Sequence, residues 1–305
     1  MSARLLRRLL ELLPTLLLLV TLTFAMLHAA PGGPFDSERA LPEATRVQLE
    51  ARYHLDQPLW RQYLIYLGDL AHGDLGPSYQ YPDRSVAELI GAGLPVSALL
   101  GSLAMSLALI VGMALGIIAA MKPHRWQDRA VMVLAVGGLS IPNFVLAPLL
   151  ILLMAVSLHA LPAGGWSGRP QELLLPVLAL ALPQIATIAR LTRAAMLEVM
   201  QTPWIRTARA KGLSERHVVL RHALRPVLLP VISYLGPAAA GTLTGSVVIE
   251  QIFGLPGVGR YFVLGALNRD YGLVLGVVLI YGTLIVLFNF AVDLLYARLD
   301  PRQRE

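Results

Sequence analysis

Six long runs without a charged side chain divide the sequence, at 12–35, 89–121, 130–168, 173–189, 226–249 and 271–292. They hold 24, 33, 39, 17, 24 and 22 residues, about half of the 305-residue chain. A helix that crosses a bilayer needs about 20 mainly apolar residues, so each run holds one span. The pattern predicts an all-α polytopic membrane protein with six transmembrane helices, near 9–28, 97–121, 130–155, 173–192, 226–249 and 272–296. The longest run takes one span only, because two spans and a turn need more than about 40 residues. Its tail, Leu161-Pro162-Ala163-Gly164-Gly165-Trp166-Ser167-Gly168, reads as a loop with an interfacial Trp. A membrane β-barrel would alternate apolar and polar positions instead of keeping them in continuous runs.

Between the first two spans, residues 29–96 form a polar external connection in which Leu55, Leu59, Tyr63, Tyr66, Leu67 and Leu70 recur at helical spacing. This predicts one or two amphipathic helices, with Tyr53, Trp60, Tyr63 and Tyr66 suited to an interfacial position. The chain therefore divides into an N-terminal tail and first helix (1–28), the external loop (29–96), a five-helix core (97–296) with a hairpin at 194–225, and a tail (297–305). Arg4, Arg7 and Arg8 before a Leu-rich stretch also suit a signal peptide. Without a small-x-small cleavage pattern and with an apolar stretch longer than a usual signal core, the expectation is a retained helix.

Composition agrees: 14% of residues are charged, against about a quarter in soluble domains. That excludes a soluble enzyme and a disordered chain, and the absence of cysteine excludes a disulfide scaffold. The net charge of +6 resolves by side. With the N-terminus inside, 17 of the 25 basic residues lie in cytoplasmic segments with 7 acidic ones, and 8 basic and 12 acidic residues lie outside. The positive-inside rule thus places both termini in the cytoplasm and removes any need for a nucleic-acid partner.

Chemistry-bearing motifs are few. No GxxxxGK[ST] phosphate loop occurs, so nucleotide hydrolysis by this chain is not expected. Gly254-Leu255-Pro256-Gly257-Val258-Gly259 follows no strand and reads as a tight external turn. The seven histidines have no metal-ligand spacing, and no GxSxG elbow is present, which leaves Ser246 a helix-packing residue and the chain without catalytic or metal residues. Ion-coupled carriers place Asp, Glu or His near the midplane. Here the deeper polar groups are uncharged: Asn143, Gln184, Thr187, Thr242, Thr244 and Asn289. A path so lined passes a polar solute but supplies no free energy.

The most ordered connection lies between the fourth and fifth spans. Thr202-Pro203 reads as an N-cap with Pro at the first helical position, and Gly212 as the C′ residue of a short helix. Ser214 caps a second helix with Glu215 in its first turn, and Pro226 opens the fifth span. Eight basic residues from Arg190 to Arg225 accompany these signals. A loop needing only charge, to hold anionic lipid head groups, would not need caps in register. Two short helices around one glycine predict a protein-docking knob.

This hairpin carries a resemblance. Ala208, Gly212 and His222-Ala223-Leu224-Arg225-Pro226 resemble the EAA loop of binding-protein-dependent ABC importer permeases. Arg206-Thr207-Ala208-Arg209-Ala210-Lys211-Gly212-Leu213 is similar to its form in the dipeptide/oligopeptide/nickel branch, nearest to the oligopeptide members. Leu55-Asp56-Gln57-Pro58-Leu59, Gly73-Asp74-Leu75-Gly76, the run Ile249 to Gly259 and Asn268-Arg269-Asp270-Tyr271 extend the likeness over nearly the whole chain. The name-giving Glu of the loop falls at Arg206 and its first Ala at Thr207, so no docking contact through that Glu carries over.

The resemblance implies a type I ABC importer permease fold, a homologous second permease, two cytoplasmic ATPases docked on the EAA hairpins, here residues 206–213, and an extracytoplasmic substrate-binding protein that delivers peptide. ATP and Mg would then sit on the ATPases and no cofactor on this chain. Asn143, after Ser140-Ile141-Pro142, and Gly241, Thr242 and Thr244 in the small-residue stretch of span five are candidate path residues. Glu250 pairs with Arg260 or contacts the binding protein. The alternatives are a permease for nickel or another small solute, and, from a different class, an ion-coupled secondary carrier.

Overall fold

A computed structural model describes residues 2–35 and 43–299; within these, the side chains of 2–11, 43, 44, 244, 297 and 299 are left out. The side chains of Arg4, Arg7 and Arg8, and all of Arg302 and Arg304, therefore lie outside the described residues. Helices run α1 (Ser2–Ala29), α2 (Glu43–Arg52), α3 (Leu59–Ala71), α4 (Val86–Met121), α5 (Trp126–Ser140) and α6 (Asn143–Leu150), the last continuing as a π-helical stretch, Ile151–Ser157. There follow α7 (Gln171–Met200), α8 (Pro203–Ala210), α9 (Glu215–His217) with π-helical Val218–Ala223, α10 (Leu224–Phe253), α11 (Val258–Leu267) and α12 (Tyr271–Leu299). No strand occurs among the described residues beyond an isolated bridge between Pro77 and Ser85. Among the described residues, five helices are long and apolar enough to span, or six if the bent pair α5 and α6 counts as one span.

Three boundaries differ from the hydropathy reading. The span expected from 97 begins at Val86, because Ser85 and Glu88 form a capping box: the Glu88 N–H donates to Ser85 Oγ and the Ser85 N–H to the Glu88 carboxylate, each at 3.2 Å. Glu88 ended the uncharged run, yet it starts the helix. The third span is not one straight rod. It breaks between Ser140 and Asn143 with a bend of 106°. Pro142 removes a backbone donor and holds Ile141 extended, at φ −95° and ψ 115°. Finally, the external turn after Gly254 leads into α11, ten residues that the glycine-rich opening concealed.

The chain forms two compact units. One comprises residues 2–97 and 256–284. Its core joins Val20, Leu75, Val86, Leu89, Ile90, Val258, Leu273, Val277 and Leu279, with Tyr63, Tyr66, Leu67 and Leu70 of α3 packed against it. The amphipathic spacing of α3 thus faces that core, and Tyr63 shares a 2.6 Å hydrogen bond with Thr21 of α1. Buried Asp270 ties the external loop to the last helix. Its Oδ2 accepts from the Ser78 hydroxyl and from the N–H groups of Tyr79 and Gln80, and its Oδ1 accepts from the Leu273 N–H in the first turn of α12. Burial raises the Tyr66 hydroxyl to a pKa of about 12, and burial beside Asp270 pushes Tyr79 up as well.

The other unit comprises residues 98–255 and 285 onward. Here α7 packs along α5 and α10, and α6 against both α7 and α10. The 98–121 part of α4 approaches α7 through Gly112-Met113-Ala114-Leu115-Gly116. A Cβ at Gly116 would stand 2.6 Å from both the Ala189 carbonyl and Thr192 Cβ. Small residues four apart bring membrane helices into backbone contact in this way.

Candidate functional site

The hairpin after α7 is built as its sequence predicts, with one exception. Thr202 occupies the N-cap of α8 and Pro203 its first position, but the Thr202 hydroxyl donates to the Val199 carbonyl at 2.5 Å and leaves the cap unmade. Bonding back to the preceding turn competes with capping for the orientation of this side chain. The far end is complete. Gly212 has φ +78°, its N–H donates to the Arg209 carbonyl (2.9 Å) and the Leu213 N–H to the Ala208 carbonyl (3.4 Å), which is the Schellman pattern. Ser214 Oγ then accepts from the His217 N–H and caps α9. Arg209 clips Glu215 across the turn with hydrogen bonds of 2.7 and 3.2 Å.

Ile205 and Ala208, three residues apart, are buried. They join Ala120, Met196, Val199, Val218, Val219, Ala223 and Val227 in one apolar cluster, with Leu213 packed against it. This cluster fastens the hairpin to the end of α4, the end of α7 and the start of α10. Arg206, Thr207, Arg209, Ala210, Lys211 and Gly212 are left exposed, and Trp204 is 51% exposed beside them. A shallow depression lined by Ser214, Arg216, His217, Leu220 and Arg221 adjoins this face.

Not every basic residue counted with the hairpin belongs to it. Arg193 donates through Nε and Nη2 to the two oxygens of buried Asp128, at 2.5 and 2.7 Å, and Asp128 also accepts from the His124 N–H at 2.9 Å. The pair links α5 to α7. Asp128 and Arg193 therefore add no net charge to a docking face. At the opposite end of this unit, the 158–170 loop closes on the end of α10, where the Gly165 N–H donates to the Phe253 carbonyl at 2.8 Å.

The candidate path residues separate. A Cβ at Gly241 would lie 3.6 Å from Gln184 Nε2, and one at Gly245 3.1 Å from Asn143 Nδ2. Asn143 and Gly241 thus lie on one stripe where α6, α7 and α10 meet, and Tyr234 joins it by donating its hydroxyl to Gln184 Oε1 at 2.7 Å. Thr242 does not. It is 4% exposed, faces Gly101 of α4, and donates to the Ala238 carbonyl of its own helix. The expectation that Thr242 lines a path fails in this conformation because one residue further along a helix turns the side chain by about 100°. Thr244 lies on α10, with its side chain outside those described. Glu250 is 0% exposed, so its carboxylate is not presented to an external protein. The sequence reading missed Tyr234. The signal was its spacing of seven from Gly241, the heptad that keeps residues on one face.

The family of binding-protein-dependent transport system inner membrane components matches residues 112–305. The oligopeptide transport system permease protein OppB of Escherichia coli (strain K12) is 54% identical over 300 residues, covering 98% of both chains. The dipeptide transport system permease protein DppB of Bacillus subtilis (strain 168) is 46% identical over 302 residues, covering 99% of this chain and 98% of its own. Among solved structures, an amino acid ABC transporter crystallised with histidines superposes with a TM-score of 0.56 at 18% identity, over 70% of this chain and 94% of the other. The inward-facing MetNI methionine ABC transporter gives 0.51 at 20% identity over the same shares. These two share the fold. With that fold, a match to 194 residues and relatives alike from end to end, the chain belongs to the family of binding-protein-dependent transport system inner membrane components.

Proposed function

We propose that this chain is a permease subunit of an ABC importer that carries oligopeptides or dipeptides into the cytoplasm, and that it has no catalytic activity of its own. The observation that carries this reading is the hairpin at 203–223, an exposed basic and aromatic face held on an apolar cluster common to three spans. Two cytoplasmic ATPases supply the energy and bind the ATP and Mg; one docks on Arg206, Thr207, Arg209, Ala210, Lys211 and Gly212 of this chain, which Ala208 and Leu213 anchor from beneath instead of touching the ATPase themselves, and the other docks on the second permease. Because Arg206 stands where the loop's acidic residue is expected, the contact here is made by cations and by Trp204.

The protein is a multi-pass inner-membrane protein, and both termini face the cytoplasm in this reading. The ends of α4 and α7 meet beside the hairpin, while the 158–170 loop meets the end of α10 at the other end of the unit. This suits the charge count, which puts the 122–129 connection and the hairpin on one side. The 29–96 connection, with α2 and α3, is then the external platform on which the substrate-binding protein delivers peptide. Affinity isolation of the chain from its own membrane tests the assignment. Recovery of a homologous permease and two P-loop ATPases is expected, and recovery of the chain alone overturns it.

A further inference from the structure

Near the centres of α7 and α10 stands a polar pair among apolar neighbours. Tyr234 donates its hydroxyl to Gln184 Oε1 at 2.7 Å, which fixes the amide and turns Nε2 toward Gly241. Among the described residues, Nε2 donates to nothing, and Gly241 beside it is exposed. One turn along, Asn143 Nδ2 lies over Gly245. Polar side chains at membrane depth face a bundle interior or a water-filled cavity, since lipid cannot satisfy them. Gly241 keeps the surface open beside the Gln184 amide, and Gly245 gives the Asn143 amide room against α10.

We propose that the Gln184 amide, set by Tyr234, and the Asn143 amide hold the backbone of an extended peptide in transit. The proposal rests on the reading of the chain as a peptide permease. Gly241 and Gly245 are about 6 Å apart along the helix axis. Alternate residues of an extended chain are about 6.6 Å apart. Two amides set over glycines so spaced donate, in this proposal, to carbonyls of one edge of a peptide, two residues apart, whatever its side chains. Neutral hydrogen bonds have a modest net value and permit release, whereas a charged group would sort peptides by charge. The pair is a specificity device for peptide bonds and not for sequence.

The test uses the whole transporter, this chain with its second permease, ATPases and binding protein, reconstituted in liposomes with ATP. Uptake is compared for trialanine and for its analogue with the first of its two amides replaced by an ester, a poorer acceptor without the N–H. Each variant is read as its amide-to-ester ratio relative to the native transporter, so the selectivity of the shared binding protein cancels. Gln184→Leu is expected to lower trialanine uptake about three- to tenfold and to bring the ratio toward one. Tyr234→Phe, which keeps the ring, is expected to act in the same direction and more weakly. A Gln184→Leu transporter with native uptake and native ratio overturns the proposal. So does loss of the second permease from that variant, which would make Gln184 an interface residue. Absence of ATP-driven trialanine uptake by the native transporter overturns the peptide-permease reading itself.

Discussion

At Gly212 a single backbone angle decides whether the hairpin forms. Its φ of +78° is a left-handed conformation, and a Cβ there would meet nothing within 4 Å. A substitution therefore acts through strain alone, about 1–2 kcal/mol for an ordinary side chain and more for a β-branched one. Asn tolerates this region and Val does not. Gly212→Val is expected to abolish ATPase association and uptake, while Gly212→Asn retains most of both. Equal behaviour of the two variants in co-isolation and transport would remove Gly212 from the docking account. The Arg209–Glu215 clip across the same turn is exposed, so it adds at most about 1 kcal/mol. The turn is held by its backbone more than by its charges.

Among the elements, α4 and α7 show how closely packing limits substitution. Gly112 and Gly116 leave no room for a Cβ against α7, whereas Gly137 of α5 has nothing within 4 Å. Gly116→Ala is expected to lower stability by about 1–3 kcal/mol by forcing the helices apart. Gly137→Ala is expected to leave it unchanged or raise it, as Ala favours the helix. Thermal unfolding of the purified transporter in detergent measures both, and a tolerated Gly116→Ala would refute the close contact. What could be read from sequence follows the same division between local and distant causes. The hairpin caps at Gly212 and Ser214 were legible because each is fixed by its own few residues. The start of α4 at Val86 was equally local, in Ser85-Val86-Ala87-Glu88, but charge-free length alone hides a capping box. Pro142 marked a weak point, yet the 106° bend depends on what α6 packs against, and hydropathy carries no direction. Thr242 and Asn143 looked alike as small polar groups, and only the faces of α10 tell them apart.

For the whole molecule, the distribution of charge says more than its sum. The +6 total divides into a basic inside and an acidic outside in the six-span reading. Structure refines that division by withdrawing Arg193 into its pair with Asp128 and leaving Arg206, Arg209, Lys211, Arg216 and Arg221 on the exposed hairpin. The spans hold amides and hydroxyls where a self-sufficient carrier would need a titrating group. In the proposed account the path conducts a peptide, and the hairpin receives the work that drives it. Peptide accumulation in sealed liposomes tests this most directly. The complete transporter with binding protein is expected to concentrate peptide only when ATP reaches its ATPases, and this chain alone is expected to show none under a proton gradient. Uphill uptake by the chain alone, driven by that gradient without ATP, would contradict the account.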